Sequence, residues 1–175
     1  LPVDWQQGFM MQQQQPQPQP HLPNPLAGLV AAPPAPAEDG AGARRAMSIG
    51  VESAGLNLDE VDYINAHGTS TPLGDDAEVV AVKTVFGDHA YELSMSSTKS
   101  MTGHALGAAG GIESVASILA VKHDIAPPTI NLDNPEEGLD IDLVPHEAKQ
   151  RPIRAALNNS FGFGGHNVTV VFKKF

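Results

Sequence analysis

The stretch Val61-Asp62-Tyr63-Ile64-Asn65-Ala66-His67-Gly68-Thr69-Ser70-Thr71-Pro72 decides the fold. Its first six residues form a short, mostly apolar run with branched and aromatic side chains, as expected for a buried strand. The run passes directly into a turn of small polar residues closed by proline. In open α/β sheets such strand ends are where ligands and chemistry sit. Upstream, Asp39 to Gly55 reads as a helix with Ala43, Met47, Val51 and Ala54 on one face. Downstream, Ala77 to Phe86 predicts a second helix stopped by Gly87, and Tyr91 to Ser96 a second strand that delivers Ser97-Thr98-Lys99-Ser100. Thr102-Gly103-His104 then opens an apolar helical run from Ala105 to about Val121. Gly107, Ala108, Ala109, Gly110 and Gly111 in that run would allow very close helix packing. After Pro127-Pro128 the pattern predicts three extended segments, Leu139 to Val144, Ile153 to Ser160 and Asn167 to Phe172. The last two read as an antiparallel pair flanking Phe161-Gly162-Phe163-Gly164-Gly165-His166. This alternation indicates an α/β layer.

Composition separates that region from what precedes it. Nine of the fifteen prolines and eight glutamines fall before residue 40, and all ten lysines and arginines come at Arg44 or later. Residues 1–33 therefore read as a Pro/Gln-rich irregular segment and residues 34–175 as the folded domain. A formal charge of -10 argues against sequence-independent binding to a nucleic-acid backbone. With no cysteine, this chain supplies no disulfide, thiolate metal site or cysteine nucleophile. No apolar run approaches the roughly 20 residues that cross a bilayer, and no basic-then-apolar start marks a secretory signal. The expectation is a cytoplasmic protein with neither membrane nor nucleic-acid partner.

The strand ends carry the candidate chemistry. His67 and His104 follow consecutive predicted strands, so two neutral imidazoles there could donate to one developing oxyanion, or one could shuttle a proton. Each alone is more often structural. A metal completed by Asp75 or Glu113 is the chemical rival, without a compact ligand spacing to support it. His21, His89, His123 and His146 read as surface groups. Lys99 lies between the two histidines in sequence and needs a carboxylate if buried. Glu113, which interrupts the apolar run GIESVASILAV, is the natural partner; two solvated surface groups are the plainer alternative. Thr69 and Thr71 point the same way if the segment is extended, to hold a ligand arm or to cap the next helix. The Phe161–Gly165 loop either exposes peptide N–H groups or is simply a tight packed turn. GAAGG lacks the strand-coupled GxGxxG arrangement of dinucleotide sites.

Four segments in order, NAHGTSTPLGDDAE (65–78), SSTKSMTGHALGAAGGIES (96–114), PPTINLDNPEEGLDIDLVPHEA (127–148) and NSFGFGGHN (159–167), resemble the C-terminal half of a β-ketoacyl-acyl-carrier-protein synthase of the Cys-His-His type. The resemblance implies the C-terminal half of the thiolase-like fold, a mixed β-sheet with packed helices. It implies that His67 and His104 surround the malonyl thioester carbonyl, with Lys99 held by Glu113. Thr69 and Thr71 would contact the phosphopantetheine arm, and Phe163 would act as gate and backbone oxyanion donor. The implied reaction is decarboxylative Claisen condensation of malonyl carrier protein with an acyl thioester in fatty acid biosynthesis. The implied partners are acyl carrier protein and a cysteine-bearing N-terminal half, as a homodimer when complete. No cofactor is implied beyond the carrier's phosphopantetheine, with a structural monovalent cation near Glu113 as an option. A mitochondrial or plastid matrix is the alternative compartment. The family's nucleophilic cysteine belongs to its N-terminal half, so the isolated chain is expected to be inactive. A non-catalytic partner subunit of a condensing complex is the alternative function.

Overall fold

In the computed structural model, residues 40–71, 73–162 and 165–175 are described. They belong to one unit spanning Pro33–Phe175. Helix α1 (Ala41–Ser53) leads through a single 3₁₀ turn into strand β1 (Val61–Asn65), and α2 (Gly74–Phe86) leads to β2 (Ser94–Ser96). The short α3 (Lys99–Thr102) and a 3₁₀ turn over Leu106–Ala108 precede α4 (Ala109–His123). The chain continues through β3 (Ile125–Ala126), β4 (Lys149–Gln150), β5 (Ala155–Phe161) and β6 (Asn167–Lys173).

The main sheet has the order β2-β1-β5-β6. β1 runs parallel to both β2 and β5, and β6 runs antiparallel to β5 over seven paired residues. The period of two along each strand sorts side chains to opposite layers. Ile64 and Leu157 join Met47, Val51, Val82 and Phe86 in a core under α1 and α2. Tyr63 and Ala156 join Ala120, Val121 and Ile153 under α4. β1 is buried at all five positions, as its apolar run requires. One charged pair pins its start: Arg154 donates from Nε to Asp62 Oδ2 at 3.0 Å and from Nη2 to Asp62 Oδ1 at 2.8 Å.

The structure corrects several expectations. Leu139–Val144 is not a strand: its backbone meets the sheet in the isolated bridge Ser94–Asp142, while Ile141 and Val144 pack into the cores. The Asp142 side chain accepts from Val144 N–H at 3.2 Å, and Val144 sits at φ +49°, so a side-chain turn displaces the ladder. The second strand shortens to Ser94–Ser96 because a 3₁₀ helix holds Gly87–Tyr91. His89 is no surface group: its Nε2 lies 2.8 Å from Val61 O and its side chain is largely buried. Gly107, Gly110 and Gly111 face open space among the described residues, so the room they leave is not taken up there.

Candidate active site

The site lies beyond the carboxyl ends of β1 and β2. His67 follows β1 by two residues, and its turn approaches the next one so closely that only glycine fits. Gly68 has φ +35°, and a Cβ there would stand 2.7 Å from Ser97 Cβ. Ser97 Oγ donates to Gly68 O at 2.6 Å and locks the two turns together. His104 arrives on the loop after α3, and the imidazoles meet edge to plane with centroids 5.5 Å apart. Phe161, at the end of β5, flanks His67 at 5.8 Å.

The two rings differ in surroundings. His67 is half-buried, and its Nδ1 is enclosed without a hydrogen-bond partner among the described residues. Burial first, then the Lys99 charge and His104, push its pKa down to about 4. It is therefore a neutral imidazole at neutral pH. His104 is exposed, and its Nδ1 accepts the Leu106 N–H at 3.3 Å. A neutral His104 bonded in this way carries its proton on Nε2, which is then a donor.

Lys99 and Glu113 form an ion pair with side chains only 5% and 1% exposed. Polar groups of the strand ends surround it. Asn65 Nδ2 donates to Glu113 O at 3.3 Å, and Thr98 Oγ1 donates to Asn65 Oδ1 at 3.1 Å. Thr69 and Thr71 place their hydroxyls 3.5 Å apart. Leu73, not either threonine, is the N-cap residue of α2, and no side chain caps it. Asp75 instead turns back to accept the Ser70 N–H at 3.2 Å. Phe163 lies outside the described residues, as does His21. Of the remaining histidines, His123 and His146 are exposed and stand apart from the pair's ring contacts. No group of three or more His, Cys, Asp or Glu side chains placed to hold a metal ion occurs among the described residues.

Sequence reasoning missed Glu78. It is 2% exposed. Its Oε1 accepts from His67 N–H and Asn159 Nδ2, and its Oε2 from Gly68 N–H, each at 3.0 Å. Burial raises its carboxyl above the ordinary range, against the pull of these donors. The signal was an acid set between Ala77 and Val79 on the helix face that buries Val82. Asn158 and Asn159 were missed too. One step apart on β5, they face opposite layers: Asn158 Nδ2 donates to Gly110 O at 3.0 Å, Asn159 to Glu78.

Comparison with known proteins follows the same lines. Residues 31–133 match the family described as β-ketoacyl synthase, C-terminal domain. The chain is 54% identical over 141 residues to 3-oxoacyl-acyl-carrier-protein synthase 2 of Synechocystis sp., covering 81% of this chain and 34% of the relative. It is 57% identical over 128 residues to the enzyme of that name from Coxiella burnetii, covering 73% and 31%. It thus spans about a third of the length of the curated relatives it matches. Among solved structures, a ketosynthase complex with its type II polyketide acyl-carrier protein, bound to a hexaketide, matches at TM-score 0.77 and 38% identity, covering 79% of this chain and 34% of that one. The ishigamide ketosynthase/chain length factor matches at TM-score 0.76 and 35% identity, covering 83% and 35%.

Proposed function

The chain belongs to the β-ketoacyl synthase family through its C-terminal domain, and from that premise we propose that it supplies the decarboxylation half of a condensing site. The observation that carries this reading is the edge-to-plane pair of His67 and His104 at 5.5 Å, with His67 held neutral. Malonyl thioester decarboxylation releases carbon dioxide and leaves the electron pair on the α-carbon, delocalised onto the thioester oxygen. Neutral imidazole N–H groups stabilise that oxyanion without surrendering a proton. The α-carbon then attacks an acyl thioester carbonyl, a carbon–carbon bond forms, and the cysteine thiolate leaves. Fatty-acid elongation on acyl carrier protein is the reaction class that the relatives' names support.

The sequence holds no cysteine, so the thiolate would come from residues outside it. Helix α4 supports such a source. Its inner face is buried, yet Ile112, Val115, Ile118 and Leu119 lie 44–58% exposed on the outer face. A helix that is apolar all round belongs in an interior. A cysteine-bearing N-terminal ketosynthase half is the occupant we propose, with a homodimer once complete and a cytoplasmic or organellar-matrix location. Thr69 and Thr71 would hold the phosphopantetheine arm. Glu113 Oε2 and Asn158 Oδ1, both buried without a hydrogen-bond partner, are hard oxygen donors suited to a monovalent cation.

The chain is tested with malonyl and acyl carrier protein, alone and with the cysteine-bearing N-terminal part of a relative. Condensation only in the mixture, lost in His67→Ala, supports the reading. Condensation by the chain alone overturns it. Restored activity that is indifferent to His67→Ala favours a non-catalytic partner subunit.

A further inference from the structure

β2 ends at Ser96, yet its outer edge is still satisfied beyond that point. Successive N–H groups of a strand alternate between its two edges. Met95 N–H, on the edge away from β1, donates to Asp142 O at 2.8 Å. Two residues on, the same edge presents Ser97 N–H, and its acceptor is a side chain, Thr129 Oγ1, at 3.1 Å. A backbone donor withdrawn from water needs a partner, and here a hydroxyl stands in for a neighbouring strand.

Thr129 is fixed before it reaches Ser97. Its N–H donates to Val144 O at 2.8 Å, and its carbonyl accepts His146 N–H at 2.9 Å. Its hydroxyl proton goes to Leu143 O at 2.9 Å, which leaves the oxygen lone pairs for Ser97. A second rung runs the opposite way: Ser100 Oγ donates to Ser97 O at 2.8 Å and accepts Ile130 N–H at 3.0 Å. Two hydroxyls therefore join the segment after Pro128 to both ends of the turn that carries Lys99.

The far side of that turn faces the His67 turn. Ser97 Oγ donates to Gly68 O at 2.6 Å. Close packing does not fix the spacing from behind, because a cavity of about 70 Å³ lies there, lined in part by Gly68, Glu78, Ser97 and Thr129. Directional hydrogen bonds hold it instead.

We infer that Thr129 is a positioning residue for the histidine pair: through Ser97 and Gly68, its hydroxyl sets how closely the His67 turn meets the turn that carries Lys99 and leads to His104. This rests on the proposed function for its catalytic consequence, while the geometric claim concerns the chain alone. Spacing matters because burial, Lys99 and His104 together keep His67 neutral. The acids at this turn, Glu78 and Asp75, bond its backbone N–H groups. If the Lys99 turn backs away, the imidazole gains water and loses both cationic neighbours.

The test uses the full chain with Thr129→Val, which keeps the shape and removes the acceptor, and Thr129→Ser, which restores it. NMR follows the His67 titration and the cross-ring NOEs between His67 and His104. Thr129→Val should raise the midpoint from about 4 to about 5 or above and weaken the NOEs. Thr129→Ser should return both. Ser97→Ala, which cuts the bond to Gly68 instead, gives the same readout should Thr129→Val not fold. Ile153→Val, a buried change in the core under α4, should lower stability and move neither signal. In the mixture with a cysteine-bearing half, Thr129→Val should lower kcat about tenfold with KM little changed. Wild-type NMR behaviour in Thr129→Val, the same change in Ile153→Val, or failure of Thr129→Ser to rescue would each overturn the inference. A moved His67 titration without condensation in any mixture refutes only the catalytic reading. Condensation lost in His67→Ala but accompanied by an unmoved titration in Thr129→Val refutes only the positioning.

Discussion

Glu78 holds His67 by its backbone: the carboxylate, buried on α2, takes the N–H groups of His67 and Gly68 at 3.0 Å each, while the imidazole itself is free to face His104. Ring position is thus fixed from behind, without using either ring nitrogen.

Removing that support is expected to cost stability. Glu78→Gln keeps the shape but offers one acceptor oxygen and turns an NH₂ toward N–H groups. Because each unsatisfied buried donor costs about 1–3 kcal/mol, a loss of about 2 kcal/mol is expected, and more in Glu78→Ala. Urea unfolding of the three proteins measures it. An unchanged midpoint would show that the clamp does not hold the turn.

The His67 ring should remain neutral through ordinary pH. Its folded pKa of about 4 lies below the ordinary histidine value of 6.5. The unfolded chain therefore binds the extra proton first, and stability falls as pH drops from about 6.5 to about 4. Imidazole NMR shifts should show His67 titrating near the bottom of this window. Lys99→Met, by removing the nearby positive charge, should move that titration upward. A wild-type midpoint near that of a free histidine contradicts the buried, cation-flanked setting.

Lys99 and Glu113 should be costly to separate and cheap to replace together. Breaking a buried pair on one side typically loses about 3–5 kcal/mol, whereas an apolar pair of similar volume is often neutral. Lys99→Met and Glu113→Leu should each destabilise strongly, and the double variant should recover most of the loss. Additive losses in a double-mutant cycle would mean that the pair is not coupled.

Asp62 contributes to acid sensitivity in its own direction. Burial alone would raise its carboxyl, but hydrogen bonds and charge from Arg154 outweigh burial and hold it below the ordinary range. Its stabilisation is complete above the unfolded carboxylate pKa and is lost as pH falls through the lower folded value. Asp62→Asn should lower stability at neutral pH and flatten the acid limb of the stability profile. A limb of unchanged slope would assign acid sensitivity to other groups.

Much of the site was legible because strand ends advertise it: VDYINA running into His67, and the polar cluster before His104, put unusual residues where a sheet delivers them. Lys99 and Glu113 were legible as a pair because a lone acid in an apolar helix needs a cation. Glu78 escaped because its partners are mostly backbone N–H groups, which no side-chain spacing reveals. Leu139–Val144 misled because alternation favours a strand until Asp142, bonded to Val144 N–H and to Ser94 Oγ, turns the chain. The 3₁₀ segment Gly87–Tyr91 was invisible for a similar reason, since tertiary closure of His89 on Val61 O holds it.

The supports of the histidine turn all lie in one sheet and its two helix layers: Glu78 and Asn159 on one side, Lys99 and Glu113 on the other. A partner approaching the bare face of α4 therefore meets a finished surface. Its capture should behave as rigid docking, with an association rate constant of about 10⁵–10⁷ M⁻¹s⁻¹. The heat-capacity change on binding should reflect the apolar area covered, with no added contribution from ordering the turn.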